Sequence, residues 1–444
     1  MRMDAILQPS APLRGTLAVP PDKSICHRAV LIAALAKGET AIHPWPGAED
    51  CQRTLEVVRA LGVSAKPSGQ SVTIAGCALE GLRAPRGDLF CGESGTTLRL
   101  AVGLLAGQPF TARLTAGPSL SLRPMRRIIE PLAQMGAVIE GTAVEDGAEC
   151  FPPLTVQGRR PLRAIRYELP VASAQVKSAI LLAGLFASGR TTVIERQRTR
   201  DHTERMLRHY GLGVRAEGQG IALDPGLPVS PGTLELPGDF SSAAFFLVAA
   251  ACIPGSRVEV EGVGLNPTRI ALLGVLERMG AAVTVSVERD SWEPCGTVAI
   301  EARPLRALSL EPGEVPGVID ELPVLMVAAA CAEGATRLTG LGELRVKETD
   351  RVRSMVSGLR GLGARISAPA PDVVEIRGGP LTGGEVESAG DHRTAMSLAI
   401  AGLAAGKGST VVRGVGCVSK SFPEFFQLLG RLAGSSTVKT VDKP

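Results

Sequence analysis

The sequence predicts an α/β protein built from six similar repeats, three in each of two domains. Six segments share a small polar start, a nearly continuous aliphatic run and a closing glycine, and most are followed by residues typical of a strand. The closing glycines are spaced 66 to 82 residues apart, which indicates a structural repeat rather than chance similarity. The six segments begin at Ser24, Ser94, Ser173, Ser241, Asp320 and Asp391.

Each aliphatic segment is predicted to be a buried helix, because apolar residues surround it on all sides. The polar start is predicted to cap the first turn, and the closing glycine to end the helix in a left-handed conformation. Strands are predicted in TTVIE, SRVEVEGV, ATRLTGL and STVVRGV, each after a closing glycine. A second, amphipathic helix recurs, as in RTLEVVRALGVSA, and is predicted to lie outside. The repeat is therefore βαβαββ, and the Pro/Gly-rich stretch 224–239 is predicted to link the two halves.

Composition excludes several classes of protein. Of the 444 residues, 45% are hydrophobic but only 3% are aromatic, and the net charge of +4 comes from basic residues spread along the chain. This pattern does not resemble a nucleic-acid-binding protein. Nine cysteines without a C-x-x-C pair favour reduced thiols over a disulfide scaffold or a zinc ribbon. The longest uncharged apolar run, 240–256, is too short and too polar to span a bilayer. We therefore expect a soluble cytoplasmic protein with no nucleic-acid or membrane partner.

Polar residues at the predicted helix starts of the first half suggest anion binding. A helix N-terminus offers free N–H groups and a partial positive charge. PPDKSICHR places Lys23, Ser24 and Arg28 there, although an N-cap with two solvated cations is the alternative. CGESGTTLR offers a small-residue turn at Gly95 but lacks the lysine of a phosphate-binding P-loop. SLRPMRR places Arg123 at a loop-to-helix boundary, with Pro124 near the first helical position.

Neutral hydrogen-bonding residues and carboxylates mark two further helix starts. ASAQVKSAI places Ser173 and Gln175 ahead of an aliphatic helix, where they suit phosphate or hydroxyl oxygens or act simply as caps. VIDELPVL places Asp320 and Glu321 at the head of an apolar helix. A carboxylate in such a place can have a raised pKa and serve as a general base, and an N-cap is the alternative.

Charged residues near the C-terminal end of the chain complete the candidate set. ELRVKETDR is predicted to place Lys347 and Arg351 one helical turn apart, with Glu348 between them. A surface helix with ion pairs is the alternative. Arg393 heads another predicted buried helix in GDHRTAM. The five histidines form no H-E-x-x-H motif and no cluster with cysteine, so no metal site is expected.

Ten ordered motifs resemble the 5-enolpyruvylshikimate-3-phosphate synthases over nearly the whole chain. The motifs are PPDKSICHRAVLIAALA, GESGTTLRL, LRPMRRIIEPLAQMGA, VASAQVKSAILLAG, TRDHTERML, PGDFSSAAFFLVAAA, VIDELPVL, ELRVKETDR, GDHRTAMSLAIAGL and SKSFPEF. The resemblance implies this family's two-domain inside-out α/β barrel, with three repeats per domain. One domain would contain residues 21–237, and the other residues 1–20 and 238–444.

The resemblance also implies an activity. The family transfers the enolpyruvyl group of phosphoenolpyruvate to the 5-hydroxyl of shikimate 3-phosphate and releases phosphate, without a metal or organic cofactor. The expected partners are these two small molecules and the inhibitor glyphosate, to which the sensitivity of this chain stays open, and a monomer is expected.

Roles for individual residues follow from the matching motifs. Asp320 would accept the proton of the 5-hydroxyl, and Glu348 with Lys23 would deliver a proton to the methylene carbon. The residues implied to bind shikimate 3-phosphate are Lys23, Ser24, Arg28, Ser173, Ala174, Gln175, Arg200, Asp320 and Lys347. The residues implied to bind phosphoenolpyruvate are Lys23, Gly95, Arg123, Gln175, Arg351, Arg393 and Lys420. Glu93 and Ala174 depart from the commonest pattern, which has Asn and Ser at these positions.

Two alternatives compete with this interpretation. A sister enolpyruvyl transferase acts on UDP-N-acetylglucosamine, but it normally carries a loop cysteine ahead of the arginine that matches Arg123, and residues 108–124 contain none. That enzyme also has Asn where Ser24 follows Lys23. An inactive anion-binding scaffold would require damaged acid and base positions, whereas Asp320 and Glu348 are present.

Overall fold

The computed structural model describes residues 2–143 and 149–443. The chain divides into two compact units. Residues 21–236 form one, which we call the 21–236 unit, and residues 1–20 with 237–444 form the other, which we call the 237–444 unit. The sequence-based boundary between the halves, after residue 237, lies one residue further along the chain.

Elements are numbered in chain order within the described residues. The α-helices are α1 (Lys23–Leu35), α2 (Glu49–Ala60), α3 (Gly95–Ala106), α4 (Arg126–Gln134), α5 (Ala174–Gly184), α6 (His202–His209), α7 (Phe240–Cys252), α8 (Ala271–Arg278), α9 (Val315–Val318), α10 (Leu322–Cys331), α11 (Arg351–Gly361), α12 (His392–Leu403) and α13 (Phe425–Ala433). Short 3₁₀ helices cover Leu120–Leu122, Gly342–Val346 and Val415–Lys420.

The strands are β1 (Arg2–Leu7), β2 (Arg14–Ala18), β3 (Lys37–His43), β4 (Ser64–Ser68), β5 (Ser71–Cys77), β6 (Leu89–Phe90), β7 (Thr111–Thr115), β8 (Val138–Ala143), β9 (Cys150–Gln157), β10 (Arg166–Glu168), β11 (Thr191–Ile194), β12 (Val214–Glu217), β13 (Gly220–Leu223), β14 (Thr233–Glu235), β15 (Arg257–Gly264), β16 (Ala282–Arg289), β17 (Cys295–Glu301), β18 (Ser309–Leu310), β19 (Ala335–Leu338), β20 (Arg365–Ala370), β21 (Val373–Arg377), β22 (Glu385–Glu387), β23 (Thr410–Arg413) and β24 (Val438–Lys443).

The described strands of each unit form three four-stranded mixed sheets. The sheets of the 21–236 unit have the orders β14-β3-β5-β4, β6-β7-β9-β8 and β10-β11-β13-β12. Those of the 237–444 unit have the orders β16-β17-β15-β2, β18-β19-β21-β20 and β22-β23-β1-β24. In every sheet the strand that follows a buried helix pairs in parallel with one neighbour and antiparallel with the other. The predicted α/β architecture of βαβαββ repeats is confirmed.

Three repeats take one strand from a distant part of the chain. β2 precedes α1 in sequence but pairs with β15, and β14 precedes α7 but pairs with β3. β1 completes the last sheet by pairing with β23 and β24. The stretch 224–239 contains the boundary between the two units, as predicted, but it also contains β14, which pairs with β3.

The six aliphatic segments form buried helices, as predicted. α1, α3 and α5 in one unit, and α7, α10 and α12 in the other, are buried over nearly their whole lengths. α3 contacts both α1 and α5, and α7, α10 and α12 contact one another. These helices form the cores because no side of them carries enough polar groups to face water. Among the described residues, no helix is long and apolar enough to cross a membrane.

The predicted helix ends are only partly confirmed. Ser94, Ser173 and Asp391 cap α3, α5 and α12, but Asp22 and Asp239 cap α1 and α7, two residues before the expected serines. α10 follows Glu321 without a side-chain cap. The left-handed glycine stop is only partly confirmed for the buried helices. Gly38, Gly255 and Gly334 have positive φ but lie two residues after the C-cap, whereas Gly107 has negative φ. A glycine with positive φ lies at or directly after the C-cap of six other helices, at Gly62, Gly136, Gly211, Gly280, Gly363 and Gly434.

The close packing of α3 against α5 predicts an effect on stability. A Cβ at Gly103 would lie 2.4 Å from the carbonyl oxygen of Ala179, which is backbone and cannot rotate away. We expect Gly103→Ala to lower the free energy of unfolding by about 1–3 kcal/mol. Gly274→Ala is the matched control, because it also lies in a helix but has nothing within 4 Å of the new methyl group. The control should stabilise by about 0.5–1 kcal/mol in urea denaturation. Equal effects would contradict the packing argument.

Candidate active site

The N-terminal ends of the three buried helices of the 21–236 unit lie together. Arg28 Nη2 in α1 donates to Ser178 Oγ in α5 over 2.8 Å, and Arg99 Nη1 in α3 donates to Gln175 Oε1 in α5 over 2.8 Å. Each bond joins side chains from the first two turns of two helices. The free N–H groups of these turns therefore face the same region of the unit.

Arg28 is fixed by groups from three helices. In addition to Ser178, its Nε donates to Thr203 Oγ1 in α6 over 2.7 Å, and its Nη1 donates to the carbonyl oxygen of Ser24 over 2.8 Å. The side chain is buried. The alternative of a solvated cation is therefore wrong for Arg28.

Lys23, the first residue of α1, lies in an ion pair that the sequence analysis did not predict. Its Nζ is 2.8 Å from Asp50 Oδ2, and the two side chains are 18% and 15% exposed. Asp50 belongs to the first turn of α2, where a carboxylate is favoured by the helix dipole. Because an acidic first turn is common in helices, the sequence carried no signal that Asp50 contacts Lys23.

Two arginine side chains approach the backbone at Gly95. A Cβ built on Gly95 would lie 2.7 Å from Arg123 Nη1 and 2.9 Å from Arg99 Nη1. Gly95 begins α3, next to the capping Ser94. Two guanidinium groups at the positive end of a helix favour a small anion. The sequence analysis missed Arg99, although an arginine inside an aliphatic run is itself a signal.

The segment that leads to Arg123 differs from its predicted form. Arg123 follows the 3₁₀ helix Leu120–Leu122, and α4 begins only at Arg126, so Pro124 precedes the helix. Glu93 accepts bonds from the backbone N–H of Leu120 at 2.8 Å and of Ser119 at 3.3 Å. The unusual carboxylate at position 93 therefore holds the turn that carries Arg123.

The start of α5 presents neutral groups to the same region. Ser173 caps the helix by accepting from Val176 N–H at 3.4 Å. Gln175 Nε2 donates to Thr96 Oγ1 over 2.9 Å, so Gln175 joins α3 to α5. Ala174 accepts a bond from Ser178 Oγ at its carbonyl oxygen, 2.6 Å away. Arg200 lies in the segment between β11 and α6 and is half-buried.

Buried hydrogen bonds link α1, α2 and α3 near their N-terminal ends. His27 Nδ1 is 2.6 Å from Thr54 Oγ1, which is 2.7 Å from Thr97 Oγ1, and Thr97 Oγ1 donates to Ser94 Oγ over 2.8 Å. All four residues are buried. Burial lowers the pKa of His27 well below its ordinary value, and the charges of Lys23 and Arg28 lower it further.

In the 237–444 unit, Arg351 lies among three carboxylates. Its Nε is 2.9 Å from Asp391 Oδ2, its Nη2 is 2.5 Å from Glu348 Oε2, and its Nη1 is 3.5 Å from Asp320 Oδ1. Burial opposes the charge of Arg351, but these carboxylates outweigh it and raise the pKa above its ordinary value. Burial likewise acts to raise the pKa of Asp391, yet Arg351 and His392 leave it lowered.

Asp320 and Arg393 meet at the start of α10. Arg393 Nη1 donates to the carbonyl oxygen of Asp320 over 2.8 Å, and its Nη2 lies 3.9 Å from Asp320 Oδ2. Asp391 caps α12 by accepting from the N–H groups of Arg393 at 2.7 Å and Thr394 at 3.0 Å. The side chains of Asp320 and Arg393 are 15% and 12% exposed, so both remain accessible to a ligand.

The predicted helical spacing of Lys347 and Arg351 is wrong. Lys347 follows the 3₁₀ helix Gly342–Val346 in an extended conformation, whereas Arg351 begins α11. Asp350 starts this new helix by accepting from Arg353 N–H at 2.9 Å. Lys420 ends the 3₁₀ helix Val415–Lys420, and both lysines are half-buried. The ion pairs described above join Asp320, Glu348, Arg351 and Arg393 but do not include these lysines.

A second buried cluster adjoins Asp320. Glu321 accepts a bond from Ser241 Oγ in α7, and its Oε1 lies 3.5 Å from Arg269 Nη1 and 4.0 Å from Arg393 Nη1. Arg269 Nη2 also donates to Asp239 Oδ1 over 3.0 Å and to Ser241 Oγ over 2.9 Å. The sequence analysis missed Arg269, because a single arginine before an amphipathic helix is usually solvated. In the described residues, His, Cys, Asp and Glu form no group of three or more that could hold a metal ion.

The pKa of His27 predicts a pH dependence of stability. Above about pH 6.5 His27 is neutral in both the folded and the unfolded chain, so it adds no dependence there. Below that pH the unfolded chain takes up a proton that the folded protein resists. Stability should therefore fall by up to about 1.4 kcal/mol per pH unit on acidification.

Urea denaturation between pH 5 and pH 7 tests this contribution. His27→Gln keeps a polar partner for Thr54 and should remove this part of the slope. His43→Gln, which removes an exposed histidine, controls for the loss of an imidazole. An unchanged slope in His27→Gln would show that His27 is not held neutral.

Comparison with known proteins identifies the family of this chain. A family model described as EPSP synthase (3-phosphoshikimate 1-carboxyvinyltransferase) matches residues 7–429. A relative of that name from Alkalilimnicola ehrlichii is 49% identical over 431 residues, covering 96% of this chain and 95% of its own. Another from Thermus thermophilus is 48% identical over 437 residues, covering 98% of this chain and all of its own.

Solved structures give the same result. EPSP synthase from Acinetobacter baumannii superposes with a TM-score of 0.86 and 43% identity over the full length of both chains. The enolpyruvyl transferase NikO from Streptomyces tendae shares the fold, with a TM-score of 0.77 at 19% identity. The resemblance seen in the sequence motifs is confirmed, and the chain belongs to the EPSP synthase (3-phosphoshikimate 1-carboxyvinyltransferase) family.

Proposed function

We propose that this chain transfers the enolpyruvyl group of phosphoenolpyruvate to the 5-hydroxyl of shikimate 3-phosphate and releases phosphate. The reaction belongs to the shikimate pathway, which leads to chorismate and the aromatic amino acids. The observation that carries the proposal is the set of arginines fixed at the starts of buried helices, within a chain that matches the family model over residues 7–429. Both substrates are multiply charged anions, so fixed cations must offset their mutual repulsion.

Shikimate 3-phosphate is assigned to hydroxyl, amide and cationic groups. Ser173, which caps α5, and the half-buried Arg200 suit its phosphate oxygens. Arg28 supports the proposal because its guanidinium is already oriented by Thr203. The full set proposed to bind shikimate 3-phosphate is Lys23, Ser24, Arg28, Ser173, Ala174, Gln175, Arg200, Asp320 and Lys347.

Phosphoenolpyruvate is assigned to the more strongly cationic positions. The absence of a side chain at Gly95 lets the guanidinium group of Arg123 approach the first turn of α3, where cationic and N–H groups together suit a phosphate or carboxylate. Arg393, which is partly exposed, offers its guanidinium group to an anion, and Arg351 lies beside the same Asp320, held by three carboxylates. The full set proposed to bind phosphoenolpyruvate is Lys23, Gly95, Arg123, Gln175, Arg351, Arg393 and Lys420.

The reaction needs one base and one acid. Asp320 takes the proton of the 5-hydroxyl as its oxygen bonds to C2 of phosphoenolpyruvate, while Glu348 and Lys23 supply a proton to the methylene carbon. Loss of a proton from the resulting methyl group, with departure of phosphate, restores the double bond in the product. The partial exposure of Asp320 and Glu348 supports these roles, because an acid or base must reach its substrate.

We infer a compartment and an oligomeric state for the enzyme as well. The nine cysteines are free thiols, which supports a reducing compartment, and we place the enzyme in the cytoplasm. We also propose that it acts as a monomer on small molecules alone.

A phosphate-release assay tests the activity and its acceptor. We expect release from phosphoenolpyruvate with shikimate 3-phosphate and none with UDP-N-acetylglucosamine. Asp320→Asn and Lys23→Met should each lower kcat about 10²- to 10⁴-fold, because each removes an acid or base group. Asp372→Asn and Lys66→Met, at exposed positions, are the matched controls and should retain the parent rate. Full activity of Asp320→Asn, or turnover only with the nucleotide sugar, would refute the proposal.

The geometry at Gly95 predicts a selective change in inhibition. In Gly95→Ala the new methyl group would meet Arg123 Nη1 at 2.7 Å and Arg99 Nη1 at 2.9 Å, so the guanidinium groups or the ligand must shift. Glyphosate is a longer molecule than phosphoenolpyruvate and should lose more affinity in the smaller space. Steady-state inhibition should show a larger rise in the glyphosate inhibition constant than in KM for phosphoenolpyruvate. Gly47→Ala, with open space around the new methyl group, is the control. Equal rises would rule out this explanation.

A further inference from the structure

Lys177 in α5 is buried completely and is absent from the roles assigned above. Its Nζ lies 2.6 Å from Glu204 Oε1, 3.0 Å from Glu195 Oε1 and 3.5 Å from the carbonyl oxygen of Thr199. Its ammonium group donates hydrogen bonds to Glu195 Oε1 and to the carbonyl oxygen of Thr199, and it forms an ion pair with Glu204. Glu195 and Thr199 lie between β11 and α6, and Glu204 lies in the first turn of α6.

The acceptors fix the shape of the chain from β11 into α6. Glu195 follows β11, and Glu204 lies in the first turn of α6. Glu195 Oε2 accepts bonds from Thr199 N–H at 3.2 Å and from Thr199 Oγ1 at 2.7 Å, which closes residues 195–199 into a turn. We call residues 195–204 the 195–204 segment. Lys177 contacts both ends of this segment and its middle, and so holds it against α5.

The 195–204 segment carries two residues of the candidate site. Arg200 follows the turn that Glu195 and Thr199 form. Thr203 accepts from Arg28 Nε at 2.7 Å and lies 2.6 Å from Ser178 Oγ. The position of Lys177 thus determines where Arg200 stands relative to Ser173, which begins the same helix as Lys177.

A gain in stability alone does not explain why Lys177, Glu195 and Glu204 are buried together. Removing an ammonium and two carboxylates from water costs several kcal/mol, and well-packed apolar side chains often replace buried ion pairs without loss of stability. A cation held at one point by several directional contacts does, however, specify a single arrangement of the chain.

We propose that Lys177 is a positioning residue for shikimate 3-phosphate, acting through the 195–204 segment to hold Arg200 in reach of the substrate phosphate. This inference rests on the proposed function, because it concerns the site assigned there to shikimate 3-phosphate. It does not involve phosphoenolpyruvate, whose assigned groups lie outside the segment.

Glu195→Gln is the direct test, because it keeps the size of the side chain and removes one charged contact. Loss of a charge-assisted bond of about 1.4 kcal/mol corresponds to about a tenfold change. We expect KM for shikimate 3-phosphate to rise about tenfold, while kcat and KM for phosphoenolpyruvate stay within about twofold. Glu217→Gln, in the sheet that contains β11, is the matched control. It removes the exposed partner of Arg166 and should change none of these constants.

A double variant separates positioning from a general structural effect. Arg200→Gln should raise KM for shikimate 3-phosphate, and Glu195→Gln should add little when Arg200 is already removed, because both act on one contact. Thr199→Val removes only the bond from Thr199 Oγ1 to Glu195 and should cause a smaller rise in KM for shikimate 3-phosphate. It provides a second test if Glu195→Gln folds poorly.

Failure of the positioning role and failure of the proposed function give different results. Additive effects of Glu195→Gln and Arg200→Gln would overturn the positioning role, as would equal rises of both KM values or a lowered Tm with unchanged KM. If calorimetry shows that the parent protein does not bind shikimate 3-phosphate, the proposed function itself fails.

Discussion

The burial of helices that are apolar on every side is the constraint on which this structure depends. Such helices can only form cores, so α1, α3 and α5 pack within one unit and α7, α10 and α12 within the other. Their sides are closed to polar chemistry, and their N-terminal turns are the places where N–H groups stay available. Charged side chains on these helices accordingly collect at the same end.

The charges collected there must be balanced at close range, because the surrounding protein is apolar. In the 237–444 unit Arg351 meets three carboxylates, and Arg269 meets Asp239 and Glu321. In the 21–236 unit the contacts of Arg28 and Arg99 include hydroxyl, carbonyl and amide oxygens. Neutral acceptors orient a guanidinium group without cancelling its charge, so these arginines remain suited to a phosphorylated ligand.

Periodicity and helix-start chemistry were enough to predict much of the fold and the site. The aliphatic segments identified the core, and the residues at their starts included Lys23, Arg28 and Arg393. The exchange of β2 and β14 could not be predicted from the repeat pattern, because strand pairing between distant segments leaves no local signal. The predicted helix stops were only partly right, because a glycine with positive φ lies at or directly after the C-cap of the amphipathic helices but two residues beyond it in α1, α7 and α10.

Two of the residues that were missed share one feature. Arg99 and Lys177 are charged groups inside aliphatic runs, and each has a partner on another helix. A sequence shows that such a charge is buried, but it does not show which distant oxygen or nitrogen satisfies it. The domain-level account was thus more predictable than the hydrogen bonds that orient each side chain.

A crystal structure of this protein with shikimate 3-phosphate and glyphosate is the most direct measurement of the central claim. The account predicts the sugar phosphate within hydrogen-bond distance of Ser173 and Arg200, and the anionic groups of the inhibitor at Arg123 and Arg393. Ligands bound away from the helix N-termini, with these side chains unchanged and facing solvent, would contradict it.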